Sequence, residues 1–260
     1  MNAERTAMSK VPEVTSTFWI IKVLTTAMGE ATSDYLIHLV GLSHKVEIAG
    51  IALIAGVALG VSLLVQFATP RYVPWTYWLV VVMVGIFGTM AADAVHIGLG
   101  VPYVVSSTVF AVALAAIFWA WYASEKTLSI HSIYTRRREM FYWAVVMAAF
   151  TLGTAVGDMT AITLHLGYLA SGLLFALFIA VPAVGFWRFR LNGVLAFWFA
   201  YVLTRPLGAS FADWAAVSPG RGGLGWGYGP VSLGLAVLIV GLVAYLSVSR
   251  RDAPEERITR

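Results

Sequence analysis

Residues Phe18–Leu36 read "FWIIKVLTTAMGEATSDYL", an apolar run of helix length that carries Lys22, Glu30 and Asp34 inside it. Its spacing recurs. The pattern (F/Y)-W-x9-G-x4-D is met without a gap by Phe18, Trp19, Gly29 and Asp34, and again by Tyr77, Trp78, Gly88 and Asp93. Tyr142, Trp143, Gly153 and Asp158 form the third copy, and Phe197, Trp198, Gly208 and Asp213 the fourth. Four columns that agree four times at fixed spacing define an internal repeat, and a repeat decides architecture before any single motif does. Each copy is followed by a second, plainly apolar segment.

Composition places these segments in lipid. Of the 260 residues 60% are hydrophobic and 12% charged, against about 25% charged in soluble domains. Mean hydropathy is +0.82. Too little polar surface remains to cover a water-soluble globule of this size. The absence of cysteine excludes disulfides, thiolate metal sites and cysteine nucleophiles. The net charge of +4 is read as loop charge that sets orientation, and no nucleic-acid partner is expected.

Eight apolar segments run at roughly 17–40, 46–68, 75–98, 102–123, 139–164, 166–187, 194–216 and 230–249, each near the ~20 residues that cross a hydrocarbon core. The expected fold is all-α and polytopic, with eight transmembrane helices. It divides into a polar N-terminus (1–16), repeat 1 (17–70), repeat 2 (71–123), a basic linker (124–138), repeat 3 (139–190), repeat 4 (191–249) and a tail (250–260). Two crossings per unit give every unit the same orientation, so the four parallel two-helix repeats are expected to be related by pseudo-symmetry about the membrane normal. The first apolar segment is one of four equivalent units, which argues against a cleaved signal peptide.

Orientation follows from the basic residues. Arg5, Lys10, Arg71, Lys126, Arg136, Arg137, Arg138, Arg188, Arg190, Arg250, Arg251, Arg257 and Arg260 fall on one side, and Lys45 and Arg221 on the other. Thirteen against two places both termini in the cytoplasm. The expected location is the inner membrane of a bacterium. With ~1.5 Å of rise per residue, each motif Asp sits about 22 Å beyond its Trp, in the outer half of the bilayer if Trp marks the cytoplasmic interface.

The Trp, Gly and Asp columns, together with "KVPEVTSTFWIIKVL" at Lys10–Leu24, resemble a family of bacterial multi-pass proteins. That family is built from four tandem copies of a "repeat of unknown function" and is also described as uncharacterised membrane-anchored proteins. The resemblance spans about residues 11–249 and implies eight helices in the inner membrane. It implies no activity, so the chemistry rests on the residues.

A carboxylate at membrane depth costs about 2.5–3.5 kcal/mol on insertion scales, and this chain puts Asp34, Asp93, Asp158 and Asp213 at one level with Glu30 beside them. In the first copy Lys22, Thr26, Glu30, Asp34 and His38 follow i+4 steps, one polar stripe on one helix face. The second copy carries Thr89, Asp93 and His96, the third Thr154, Asp158 and His165, and the fourth Arg205 and Asp213 without a histidine. The functional reading is a cation or proton pathway through a central acidic ring. Glu30, His38, His96 and His165 would be additional ligands, and mixed carboxylate and imidazole donors suit a divalent transition metal. On the alternative reading the carboxylates accept hydrogen bonds between repeats and only lock helices.

Other features carry less. The aromatic–Trp pairs read as interfacial anchors, with lining of a pathway as the alternative. The motif glycines suit close helix contact or a local break. Lys22 is expected to snorkel to the cytoplasmic interface, and Arg205 to pair with Asp213 or with an acid on the first helix; both would balance charge. "SPGRGGLGWGYGP" at 218–230 reads as a flexible or re-entrant loop, a candidate gate. No Ser-His-Asp spacing, HExxH or Walker motif appears. The expected function is a transporter or channel for a cation, proton-coupled in one version, with the lipid bilayer as partner and a metal ion as substrate. Its rivals are a membrane-embedded sensor or scaffold, and an intramembrane enzyme acting on a lipid or quinone.

Overall fold

The structure, a computed structural model, describes residues 9–40 and 45–253. Eight long helices follow in order: α1 Ser16–Val40, α2 Lys45–Ala68, α3 Pro74–Asp93, α4 Tyr103–Glu125, α5 Arg136–Asp158, α6 Gly167–Phe189, α7 Gly193–Ala216 and α8 Tyr228–Ser249. No strand occurs among the described residues. Seven of the eight are long and apolar enough to cross a membrane. The eighth, α1, falls outside that set, because Lys22, Glu30 and Asp34 lie within it. The helix pattern fits a membrane protein. On α2, for example, Leu53, Ile54, Val57, Val61 and Leu64 all point outward and are exposed.

Local sequence sets several helix ends. Pro74 opens α3, where its missing N–H costs nothing. Thr135 accepts from the Arg138 amide at the start of α5, and Asn192 Oδ1 accepts from the Val194 and Leu195 amides at the start of α7. At the opposite ends, α4, α6 and α8 close on Lys126, Arg190 and Arg250, all in the left-handed conformation. A cation there also complements the carboxyl end of a helix dipole. Two motif helices change form at their Asp, α3 running into a π-turn at Ala94–Gly98 and α5 into another at Met159–Thr163, whereas α1 and α7 continue past theirs as α-helix.

The motif helices form a closed ring in which α1 packs on α3, α3 on α5, α5 on α7, and α7 on α1. The second helix of each sequence repeat does not pack mainly on its own motif helix. Instead α2 lies on α3, α4 on α5, α6 on α7, and α8 returns to α1. The unit of sequence and the unit of packing are thus offset by one helix, and the chain closes by laying its last helix on its first.

The repeated columns explain the ring. Each motif aromatic meets the Trp of the next copy: Phe18 with Trp78 (centroids 5.6 Å apart), Tyr77 with Trp143 (5.5 Å), Tyr142 with Trp198 (6.0 Å) and Phe197 with Trp19 (5.6 Å). Each such pair contributes about 0.5–1.5 kcal/mol beyond its buried area. Tyr77 and Tyr142 also share a hydrogen bond of 2.5 Å. The expectation of interfacial anchors is corrected here. Trp78, Trp143 and Trp198 are buried at 1%, 4% and 5% exposure, and Trp19 is half-buried. A ring of neighbours covers them more completely than an interface would, and together they fill one end of the bundle.

The glycine column follows the same rule, each motif Gly facing the residue seven after the Trp of the next copy. A Cβ on Gly29 would stand 2.7 Å from the Gly85 Cα, one on Gly88 3.1 Å from the Phe150 Cβ, and one on Gly208 2.8 Å from the Ala27 amide beside Thr26. At Gly153 it would overlap the Arg205 side chain and stand 2.9 Å from the Pro206 Cδ. Only glycine permits these approaches.

The end where the described residues begin and finish, near Lys10 and Asp252, is clasped by polar groups. Lys10 donates to Glu139 at 2.5 Å and to the Phe67 carbonyl at 3.3 Å, and its amide bonds the Ile133 carbonyl at 2.9 Å. The Glu13 amide reaches the Asp252 carbonyl at 3.0 Å, and the Tyr72 hydroxyl donates to the Asp252 carboxylate. Burial pushes both Tyr72 and Asp252 above their ordinary values. At the opposite end residues 218–227 are not loose. The amides of Leu224, Gly225, Trp226 and Gly227 bond the carbonyls of Trp214, Val217, Ala215 and Ala216 at 2.8–3.0 Å, so the segment caps α7. Its glycines are needed at 222, 225 and 227, where φ is +83°, +77° and +80°.

Candidate functional site

Below the aromatic ring the interior is polar, and the columns between Trp and Asp supply it. Three residues after Trp stand Lys22, Val81, Val146 and Tyr201; seven after, Thr26, Gly85, Phe150 and Arg205; eleven after, Glu30, Thr89, Thr154 and Ala209. Steps of three and four keep these positions on one helix face. Lys22 does not snorkel: it is fully buried, donates to Thr204 Oγ1 at 3.1 Å, and lies 4.2 Å from the ring centres of both Phe150 and Tyr201. The aromatic ring blocks its way to the end of the bundle, so the π faces take the place of water. Among the described residues no carboxylate pairs with it.

Arg205 is also fully buried and touches all three other motif helices. Nη1 donates to the Thr26 carbonyl at 2.7 Å on α1, and Nη2 to Glu30 Oε2 at 2.5 Å on the same helix. Nη2 further reaches Thr89 Oγ1 on α3 and Thr154 Oγ1 on α5, the latter at 2.7 Å. Of the partners expected for Arg205, the acid on the first helix is the one found and Asp213 is not. A guanidinium suits this place because its planar fork serves several acceptors at once.

Beyond Arg205 lie the carboxylates. Glu30, Asp34 and Asp213 bring one oxygen each to within 4.8 Å of the others. Glu30 and Asp213 are buried, at 3% and 5% exposure, and Asp34 is half-buried. Asp213 Oδ1 is buried with no hydrogen-bond partner, which for a carboxylate oxygen leaves its desolvation uncompensated. These are three of the eight expected ligands. Asp93 and Asp158, half-buried at the heads of the two π-turns, do not join this cluster.

The histidines stand outside it too. His38 is exposed, donates from Nδ1 to the Asp34 carbonyl at 2.7 Å and stacks on Tyr228. His96 donates to the Val101 carbonyl at 2.7 Å and stacks on Tyr103. His165 is exposed in the turn before α6, in the left-handed conformation. Local backbone and ring contacts hold the side chains of His38 and His96.

Three tyrosines at the starts of even-numbered helices escaped the sequence reading. Tyr103 stands beside Asp158, Tyr228 beside Asp34, and Tyr168 near Asp213, where it also accepts from Arg221 Nη2 at 3.0 Å. The signal was present: Tyr103 and Tyr168 each lie 25 residues past a motif Trp. They meet the Asp of the next copy because the even helices are passed on to it. The corresponding position in the first copy, His44, lies outside the described residues.

The ring, its polar axis and the acids at one end define a class: an all-helical four-repeat bundle with a charged interior. The profile of the family described as Repeat of Unknown Function (DUF347) matches residues 17–72, 76–127, 141–192 and 196–252, and the chain belongs to that family. No curated protein and no solved structure matches the chain.

Proposed function

We propose that the protein is a multi-pass protein of the bacterial inner membrane that binds and moves a cation. In this reading the repeats 17–70, 71–123, 139–190 and 191–249 surround a pseudo-fourfold axis along the membrane normal. The clasped end, with both termini and the basic linker 124–138, faces the cytoplasm, and the acidic end faces outward. Asp34, Asp93, Asp158 and Asp213 make the acidic level, with Glu30 beneath it.

The observation that carries the proposal is the convergence of Glu30, Asp34 and Asp213, one of which, Asp213, also has a buried Oδ1 without a hydrogen-bond partner among the described residues. Carboxylates held together away from water need a counter-charge, and Arg205 supplies one while the site is empty. Arg205 also places a positive charge between the acids and the aromatic ring, and the buried amine of Lys22 stands on its ring side. An open cation pore would have to pass both, so a carrier that rearranges fits better than a channel. Reconstitution in liposomes tests this. Replacement of all four Asp by Asn should abolish flux across a panel of monovalent and divalent cations, and unchanged flux would sink the proposal.

One observation favours a second reading, a membrane scaffold or sensor whose polar core only locks helices: Arg205 bonds all three of the other motif helices. That reading predicts that Arg205 variants unfold while no ion alters the thermal stability of the wild type.

A further inference from the structure

If the acidic cluster takes a cation, its chemistry restricts which one. The three donor groups are carboxylates, and a further oxygen, the Thr89 hydroxyl, lies 3.2 Å from Glu30 Oε2. The chain has no cysteine, and the three histidines on the motif helices and their turns are engaged elsewhere or exposed. An all-oxygen set favours hard cations such as Mg2+, Mn2+ and Ca2+ over Zn2+, Ni2+ or Cu2+, which seek imidazole or thiolate.

Charge and size narrow it further. Three carboxylates, if all are ionised around a bound cation, would stand against one guanidinium with two negative charges in excess, which a divalent ion neutralises. Oxygens within 4.8 Å of one another can be spanned by an ion that holds oxygen at about 2.0–2.6 Å. The Asp213 oxygen is a second pointer to a ligand, independent of the clustering. Its residue is 5% exposed, and it accepts from no group among the described residues. Glu30 meanwhile serves both sides, since its carboxylate accepts from Arg205 and belongs to the cluster.

We propose that Glu30, Asp34 and Asp213 form a site for a hard, oxygen-preferring divalent cation, and that this ion competes with Arg205 for Glu30. The assignment rests on the cation reading above and refines it from the mixed imidazole–carboxylate, transition-metal set that the sequence suggests. It also gives cation binding a mechanical consequence. An ion that draws Glu30 away loosens the one side chain that ties α7 to α1, α3 and α5.

The test uses the full chain in nanodiscs of uncharged lipid, with chloride salts of Mg2+, Mn2+, Ca2+, Zn2+ and Ni2+ titrated separately while thermal unfolding and tryptophan emission are followed. Saturable stabilisation by Mg2+, Mn2+ or Ca2+ is expected. Asp213→Asn should weaken the apparent affinity at least tenfold, while Glu47→Gln, an exposed acid on α2, should leave it unchanged. Should Asp213→Asn fail to fold, Asp34→Asn at the half-buried position carries the same expectation. Arg205→Lys, which keeps the charge but loses the fork, should tighten ion binding, and unchanged affinity in that variant would overturn the competition. A stronger Zn2+ or Ni2+ response that is lost in His38→Ala or His96→Ala would overturn the hard-cation assignment and leave the cation reading intact. No response to any of the five ions, together with no flux of any cation in liposomes, would overturn both.

Discussion

The motif helices α1 and α7 share their Trp, Gly and Asp columns with α3 and α5, yet the two pairs do different work. Between those columns α1 carries Lys22 and Glu30 and α7 carries Arg205, where α3 and α5 hold Val81, Gly85, Thr89, Val146, Phe150 and Thr154. The acids Glu30, Asp34 and Asp213 gather on the first pair, whereas Asp93 and Asp158 head π-turns on the second. π-Turns often occur at functional positions, so the second pair differs in form rather than being a diluted copy. The comparison teaches that the repeat builds a ring of interchangeable parts and that charge is concentrated at one seam. That seam is where the first and last copies meet.

Arg205→Met should break the comparison most severely, because it leaves Glu30 buried without its partner. Loss of about 3–5 kcal/mol in chemical denaturation of the solubilised protein is expected. Combining it with Glu30→Leu should restore most of that, while Thr89→Val and Thr154→Val on the other pair should each cost far less. Next in size, Gly153→Ala forces a methyl into Arg205 and Pro206 and should cost about 1–3 kcal/mol. Gly88→Ala, which meets a side chain at 3.1 Å, should cost less. Gly234→Ala, with open space around it, should stay within about 0.5 kcal/mol of wild type.

The acids sharpen the contrast. In cation titrations Asp34→Asn and Asp213→Asn should each weaken binding about tenfold or more, equivalent to roughly 1.4 kcal/mol. Asp93→Asn and Asp158→Asn should change it by no more than about threefold, through lost charge alone. Equal effects at all four positions would erase the distinction between the pairs. Tyr77→Phe removes the bond to Tyr142 inside the aromatic ring and should cost about 1 kcal/mol, whichever ion is present.

The smallest effect is expected at the clasp. Burial raises the Asp252 carboxyl, so the folded state favours its neutral form. That contribution is present in acid, below the unfolded carboxyl value of about 3.9, and is lost as pH rises through the raised folded value. Asp252→Asn, which mimics the neutral acid, should therefore melt slightly above wild type at neutral pH and level with it in strong acid.

Much of this was legible before any coordinates. The helix spans follow from apolar length, and the inward face of each motif helix from its steps of three and four residues. The expected partner of Arg205 is Asp213 or an acid on the first helix, and the first helix supplies it through Glu30. Other readings failed for identifiable reasons. The aromatic–Trp pairs looked like interfacial anchors because a Trp near a helix end reads the same whether lipid or another ring covers it. Lys22 looked free to snorkel because nothing in its own helix shows that Phe150 and Tyr201 enclose it. Spacing along a helix likewise says nothing of the carbonyls and rings against which His38 and His96 lie.

The sequence by itself determined four helices that share one spacing of Trp, Gly and Asp. These depend only on the rise and turn of a helix and on which side chains lipid rejects. Tertiary structure alone decided that each even-numbered helix is handed to the next copy and that α8 returns to α1. It also decided that Glu30 therefore meets Arg205 and Asp213. Contacts between residues 175 positions or more apart arise only when the ring closes. No local periodicity records which copy will stand beside which.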